Sequence, residues 1–322
     1  MRRAGLLILC LVALVALAAP TLTPHGPGHR FDDRSYAPPM PIRVVGPDGA
    51  WRAPFVYPLR LADRLERRYE EDRDHPVTLA WLSAGVVTRL TDEQYGPWLP
   101  LGGDSVGRDV FARLVHGARL SLLLALAATA GALLLGLLVG GLAGAAGGWV
   151  DESLMRFSDF VLVLPAMYVV LSLRAALPLV LSTPQVFVLV AGILAAVGWP
   201  IVARGVRAIV AAERERDYAQ AARALGMGRT RLLVRHLLPA ARGFLAAQAT
   251  LLTAGFILAE ATLSYIGLGF PDPSVSWGSM LQEAATVTAI ADAPWTLAPA
   301  AAIFVVLLGV NLAVQQAQPP RA

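Results

Sequence analysis

Every permanently cationic side chain in this sequence is an arginine; the 27 basic residues include no lysine. A phosphate-binding loop of the Gly-x-x-x-x-Gly-Lys-Ser/Thr kind therefore cannot be present, and nucleotide hydrolysis by that motif must lie on another chain. The histidines, at 25, 29, 75, 116 and 236, show no His-Glu-x-x-His or comparable ligand spacing, so no metal site and no cofactor is expected. Cys10 is the single cysteine, which excludes an intrachain disulfide. Two charged residues stand out because they interrupt apolar runs, Arg174 and Glu260. A charge in such a run reaches the bilayer surface, satisfies a structural hydrogen bond, or lines a solute path. Snorkelling is the expectation for Arg174 and a hydrogen bond for Glu260, with the solute path as the sharper alternative for both.

These residues must be positioned by helices that cross a membrane. The 322 residues are 56% hydrophobic, with a mean hydropathy of +0.57. That composition describes a polytopic membrane protein rather than a soluble domain. The first nineteen residues, Met-Arg-Arg and an apolar stretch short for a span, read either as a first membrane helix or as a signal peptide. Residues 20–117 are polar, and twelve of the 23 prolines fall between Pro20 and Pro100, so much of the region should be irregular. Within it, Leu59 to Arg73 reads as a charged surface helix with Asp63 and Arg67 at i, i+4. Val110, Phe111, Leu114, Val115 and Ala118 form one apolar face, either of an interfacial helix or of packed core. A second span is expected over roughly Leu120–Ala146, with Gly136, Gly140 and Gly144 spaced for close helix contact. A short turn near Trp149–Ser158 should follow. A third span then starts near Phe160 and a fourth ends near Ala203, with Ser182-Thr183-Pro184 turning between them. The fifth runs over about Gly243–Leu263 and the sixth over about Leu297–Val314.

The longest polar segment of the second half is the organising one. Tyr218, Ala221, Ala222 and Leu225 lie at i, i+3, i+4 and i+7, giving one small-residue face on a short helix. Gly226 follows, where a helix end needs positive φ. Leu232, Leu233 and Leu237 then recur helically before Pro239, which should stop the second piece. Spacing alone is equally compatible with an ordinary basic loop between spans. Nine arginines (204, 207, 214, 216, 223, 229, 231, 235 and 242) face three acids (213, 215 and 217), which predicts a cytoplasmic location. The stretch Gly267–Pro294 has no arginine and three acids, Asp272, Glu283 and Asp292, which fits the outside. The turn near Trp149 runs against the rule, with Arg156 beside Asp151, Glu152 and Asp159.

Three segments carry a family resemblance. Gln220-Ala221-Ala222, Gly226 and Leu238-Pro239 resemble the cytoplasmic Glu-Ala-Ala loop of ABC importer permeases, with Gln220 in place of the usual Glu and His236 at an often aliphatic position. Leu101–Leu122, reading LGGDSVGRDVFARLVHGARLSL, is similar to the signature of the peptide permeases, with Gly103 in place of Thr. Glu260–Leu281 resembles their outer loop. The likeness covers roughly Leu101 to Asn311 and is nearest to the C-type subunits of oligopeptide and dipeptide importers.

The resemblance implies an all-α, type I importer fold of about six transmembrane helices in a bacterial inner membrane. Its parts would be residues 1–19 as first helix, 20–117 as extracytoplasmic polar region, 118–316 as permease domain with its cytoplasmic loop at 205–242, and 317–322 as tail. It implies four kinds of partner: a homologous permease, two ABC ATPase subunits, an external solute-binding protein and the bilayer, with no nucleic acid. Tyr218, Gln220, Ala221, Ala222, Arg223, Leu225, Gly226, Leu238 and Pro239 are the expected coupling residues, with Arg229 a further rim contact. A secondary transporter would need intramembrane ion-coupling groups and a membrane enzyme would need a nucleophile–base set. Beyond Arg174 and Glu260 neither pattern is visible.

Overall fold

The computed structural model describes residues 2–47, 49–64, 66–83, 85–176, 178 and 181–314. The C-terminal tail lies outside the described residues. The described residues divide into two units: one holds Arg3–Ser121 and Ala261–Gly309, the other Leu122–Glu260 and residues 310–314.

In the first unit, α1 (Arg2–Leu17) is followed by a one-turn helix, α2 (Ala19–Leu22). Gly309, in the last helix of the chain, lies so close to α1 that an added Cβ would sit 3.0 Å from Ile8 Cγ2 and 3.2 Å from Leu9 Cδ2. The polar region that follows is not all-α, and this corrects the expectation. Strands β1 (Arg43–Val45), β2 (Trp51–Val56), β5 (Val77–Ser83) and β6 (Val86–Leu90) form an antiparallel sheet in the order β1-β2-β5-β6. Strands β3 (Leu59–Asp63) and β4 (Arg68–Glu71) form a separate hairpin. The charged helix expected over Leu59–Arg73 is that hairpin. Leu59 and Leu61 alternate inward with Arg60 and Ala62 outward, and Leu61 pairs with Tyr69, so period 2 wins over one i, i+4 charge pair. Asp63 accepts the Glu66 N–H in the turn, and Arg67 takes a positive φ of 51°. Met40, Val56, Leu59, Val77, Leu79, Trp98 and Leu99 supply the core that holds sheet and hairpin together.

The next helix, α3, is continuous over Val110–Ala146. The separate interfacial helix expected before the second span is therefore its first turns, and Val110, Val115 and Ala118 are buried as packed core.

In the second unit the expected turn at Trp149–Ser158 is helical: α4 covers Gly148–Val163 and α5 covers Ala166–Ala175, bent by 81° at Leu164-Pro165. Helix α6 (Thr183–Arg214) starts at Ser182, where Gln185 Oε1 accepts the Ser182 N–H at 2.9 Å, and it runs past Ala203 to Arg214. Charged and aromatic contacts join α4 to α6. Asp151 of α4 accepts from Arg207 Nε at 2.9 Å, Asp159 lies 3.4 Å from Arg204, and Phe157 stacks on Trp199. Of the acids that break the positive-inside pattern, Asp151 and Asp159 are thus paired with arginines of α6, and Glu152 with Arg156 of α4 itself.

The hook comprises α7 (Asp217–Ala224) and α8 (Arg229–Leu232), then a π turn (Leu233–Leu237) and a 3-10 turn (Leu238–Ala241). They lead into α9 (Arg242–Tyr265). Back in the first unit are α10 (Trp277–Ala284), α11 (Val287–Asp292) and a 3-10 turn (Pro294–Leu297) that opens α12 (Ala298–Val314).

Among the described residues four helical runs are long and apolar enough to cross a membrane, Val110–Ala146, Thr183–Arg214, Arg229–Tyr265 and Pro294–Ala313; the bent α4–α5 pair makes a fifth. Helix α1 has 16 residues, roughly 24 Å at 1.5 Å per residue, against a hydrocarbon core of about 30 Å.

The glycine stripe of α3 performs as its spacing predicts. A Cβ at Gly136 would lie 2.4 Å from Val202 Cβ, one at Gly140 2.3 Å from the Ala203 carbonyl, and one at Gly144 2.8 Å from the Arg207 carbonyl. Gly140 meets backbone, which cannot rotate away. Gly140→Leu should therefore force α3 and α6 apart and destabilise the detergent-solubilised protein by about 1–3 kcal/mol or more. Gly192→Ala, with nothing within 4 Å, should be neutral or slightly stabilising in the same thermal melt.

Candidate functional site

The hook folds because its inner face is apolar and the C-terminal end of its first helix is capped. Asp217 sits in the first turn of α7, where a negative charge meets the helix dipole. Tyr218 donates its hydroxyl to Glu213 at 2.7 Å, and Gln220 Nε2 donates to the Glu215 carbonyl at 3.0 Å. The Tyr218 phenol is shifted above its ordinary pKa, first by that bond to Glu213 and then by partial burial. Gly226 has φ +82°; its N–H reaches the Arg223 carbonyl at 2.9 Å, and the Met227 N–H reaches Ala222 at 3.0 Å. This pair of bonds is a Schellman motif, which needs a residue free to enter the left-handed region.

The expected small-residue face divides in two. Ala219 is fully buried and Ala222 partly so, against a core containing Val206, Val210, Leu232 and Leu237. Tyr218, Ala221 and Leu225 point away, and Leu225 is 89% exposed. Arg223 and Arg229 are exposed beside them. An i, i+3 pair one residue out of phase with the expected one, Ala219 and Ala222, is what α7 turns inward. Pro239 does not stop the second piece. The π turn before it and the 3-10 turn it opens absorb the lost N–H and the ring clash, so the chain continues helically into α9. Leu238 packs beside Gly141 of α3, with its Cδ2 3.1 Å from where a Cβ would be.

The signature stretch Leu101–Leu122 and the stretch Glu260–Leu281 are far apart in the sequence. Within the first unit they bind each other. Asp104 Oδ1 accepts the N–H groups of Val106 and Arg108 at 3.0 and 2.9 Å, while Asp104 Oδ2 pairs with Arg108 Nε at 2.6 Å. Gly107 has φ +79°, and a Cβ there would be 2.1 Å from the Phe31 carbonyl, so only glycine fits this turn. Arg108 and Arg113 both donate to Glu283, at 2.6 and 2.7 Å. Ser121 Oγ accepts the Trp277 N–H at 3.2 Å, and Trp277 Nε1 donates to the Leu114 carbonyl at 3.0 Å. Gly117 gives Trp277 room to approach, and Trp295 Nε1 donates to the Gly103 carbonyl at 3.0 Å. Sequence reasoning missed Glu283, which sits just past the recognised segment and has no motif of its own.

Asp109 caps α3 by accepting the Phe111 N–H at 2.8 Å, whereas its Oδ2 is buried without a hydrogen-bond partner. Burial, reinforced by Asp104 and opposed by the backbone N–H groups of Ala112 and Phe111, raises its pKa to about 7.

Arg174, in the last turn of α5, is 2% exposed, which corrects the expectation that it snorkels to an interface. Glu260 is buried in α9 and is not without a partner.

Apolar helices long enough to cross a bilayer, joined by an arginine-rich helical hook, are the framework of a polytopic transport subunit. A family model for the inner membrane component of binding-protein-dependent transport systems matches residues 132–321, more than half of the chain. A provisionally named peptide permease of Brucella ovis is 36% identical over 225 residues, 69% of this chain and 72% of its own. The oligopeptide transport system permease protein of Bacillus subtilis is 36% identical over 212 residues, 66% of this chain and 67% of its own. The di/tripeptide transport system permease protein of Pseudomonas aeruginosa is 32% identical over 309 residues, 96% of this chain and 83% of its own. The chain belongs to the family of binding-protein-dependent transport system inner membrane components. It is a multi-pass permease subunit of the cytoplasmic membrane, and its role is transport rather than catalysis.

The buried Asp109 gives a pH prediction with a defined sign. Its folded pKa lies above the unfolded value, so the native state holds a proton that the unfolded chain releases from about pH 4 upward. Stability from this group falls between pH 4 and 7 and levels off above. Asp109→Asn keeps the cap and removes the titration. Its melting temperature should exceed that of the wild type by a margin that grows over that window and then stays constant. A second expectation concerns the ion network: Glu283→Ala leaves Arg113, 3% exposed at its side chain, with Asp104 at 3.5 Å, already shared with Arg108, as its remaining counter-charge. It should cost about 3–5 kcal/mol in the same melts.

Proposed function

We propose that this chain forms half of the membrane pathway of an ATP-driven peptide importer. It works beside a homologous permease, two ABC ATPase subunits and an extracytoplasmic solute-binding protein. The observation that carries the reading is the hook. Tyr218, Ala221 and Leu225 form an apolar outer face on α7, rimmed by Arg223 and Arg229, while Ala219 and Ala222 anchor the same helix to the chain's own core. An exposed leucine on a rigidly capped helix suits insertion into a groove of a partner. Because the sequence has no lysine for a phosphate-binding loop, the energy of hydrolysis must arrive through such a contact. The peptide class is taken from the names of the relatives. Gln220, Gly226, Leu238 and Pro239 support the hook by bond, turn and packing rather than by touching the ATPase.

The proposed topology has six spans, counting α1 and the α4–α5 pair, with both termini and the hook in the cytoplasm. The β-rich segment of 20–117 and the Gly267–Pro294 loop lie outside. In a Cys10→Ser background, a cysteine placed at Gly228 should react with an impermeant thiol reagent only from the cytoplasmic side, and one at Ser274 only from outside. The opposite pattern would exclude the topology.

The coupling role is tested with Leu225→Asp and Gly226→Val. The first places a charge in the docking face and leaves the hook's core untouched. The second strains a left-handed turn by about 1–3 kcal/mol. Both variants should remain in the membrane at wild-type abundance, lose uptake, and lose the ATPase during purification. Ala222→Trp is less informative, since it clashes inside the chain itself. Retention of the ATPase by Leu225→Asp at wild-type yield would place coupling elsewhere.

A further inference from the structure

We infer that Arg174 is a binding site for a carboxylate that comes from outside this chain, and that during transport this carboxylate belongs to the solute. The identity of the solute as a peptide rests on the reading above; the anion site itself rests on Arg174 and its surroundings.

Arg174 is 2% exposed, and its Nε and Nη1 are buried without a hydrogen-bond acceptor. Among the described residues no carboxylate pairs with it. It is the only formally charged residue in the sequence between Asp159 and Arg204, and those two lie 3.4 Å from each other. The contrast with the rest of the chain is sharp. Arg108 and Arg113, buried to a similar degree, are matched by Asp104 and Glu283. A guanidinium cannot shed its proton to relieve burial, as a lysine can. It is tolerated in a low-dielectric site only when an anion meets it.

A second observation points the same way. Arg174 stands on the second limb of a broken apolar helix, where α4 and α5 meet at 81° around Leu164-Pro165. Non-helical backbone at membrane depth is tolerated where it is buried in protein or lines a cavity, and broken helices are where many transporters hold their solutes. A charged group inside such an element is by default a functional one.

The chemical class follows from charge and shape. The planar guanidinium matches a planar carboxylate by paired hydrogen bonds. One unbalanced positive charge calls for one negative charge, which favours a carboxylate over a phosphate dianion. A peptide offers that group at its C-terminus. An acidic side chain of the neighbouring permease is the rival donor; the break between α4 and α5 favours the solute, and the experiment separates the two.

The test uses the complete importer with its binding protein in proteoliposomes. It compares uptake of a tripeptide and of its C-terminal amide, each normalised to its measured affinity for the binding protein, which the substitutions do not touch. Wild type should prefer the free acid. Arg174→Gln should lower that preference by about tenfold, the discrimination expected of one buried charge-assisted hydrogen bond, while Arg174→Lys should keep most of it. An unchanged acid-to-amide ratio in Arg174→Gln would overturn the inference. So would an unchanged ratio accompanied by loss of the second permease on purification, which would make the counterion a subunit side chain. If wild type moves neither peptide form, the peptide reading fails by itself. The anion site is then decided by the thermal shift of the purified transporter with acetate against acetamide. Stabilisation by acetate in wild type and none in Arg174→Gln supports the site; equal shifts in both refute it.

Discussion

Arg108 and Arg113 lie five residues apart in sequence, have side chains 6% and 3% exposed, and share the carboxylate of Glu283 from the far end of the chain. Removing two guanidinium groups from water is costly, and only closely placed acids make it tolerable. Asp104 and Glu283 are placed accordingly, and Asp272 comes within 3.5 Å of Arg108 from the solvent side. Because an arginine stays charged at any relevant pH, the requirement cannot be relaxed by titration. The residues around the network therefore serve its geometry. Gly107 permits the tight turn, Asp109 starts α3, and Trp277 and Trp295 spend their indole N–H groups on carbonyls of the signature segment. What looks in sequence like a recognition motif is, in the folded chain, a clasp between two distant segments.

The same constraint organises the second unit with different partners. Arg207 is bonded to Asp151, and Arg204 approaches Asp159, so α4 and α6 are joined by charge where their surfaces leave the apolar region. Below that, contact is steric. Glycines at 136, 140 and 144 bring α3 against α6 at backbone distance, and the valines of α6 continue into the leucines of the hook. A helix that would otherwise end near Ala203 is extended to Arg214 because Val206 and Val210 have leucines to bury against. The hook is thus a continuation of the core and not a loose connection.

The sequence determined the parts whose physics is local. Apolar run lengths located the main helices, Ser182-Thr183-Pro184 predicted the start of α6, and glycine spacing predicted the contact face of α3. The absence of lysine excluded a phosphate-binding loop, and Gly226 marked a left-handed turn that the structure contains. Tertiary structure decided whatever depends on a partner far away in sequence. The hairpin at Leu59–Glu71 exists because a sheet core accepts Leu59 beside Val56, Val77 and Trp98, while the local charge spacing was equally that of a helix. Pro239 is passed because the widened turn before it is held by Leu232 and Leu237 in a buried cluster. Ala219 rather than Ala221 faces inward because the valines of α6 select the phase of α7. Glu283 and Arg174 show the limit most plainly: a lone charge in sequence reveals neither its partner nor its lack of one, since electrostatic pairing is a property of three-dimensional distance and burial.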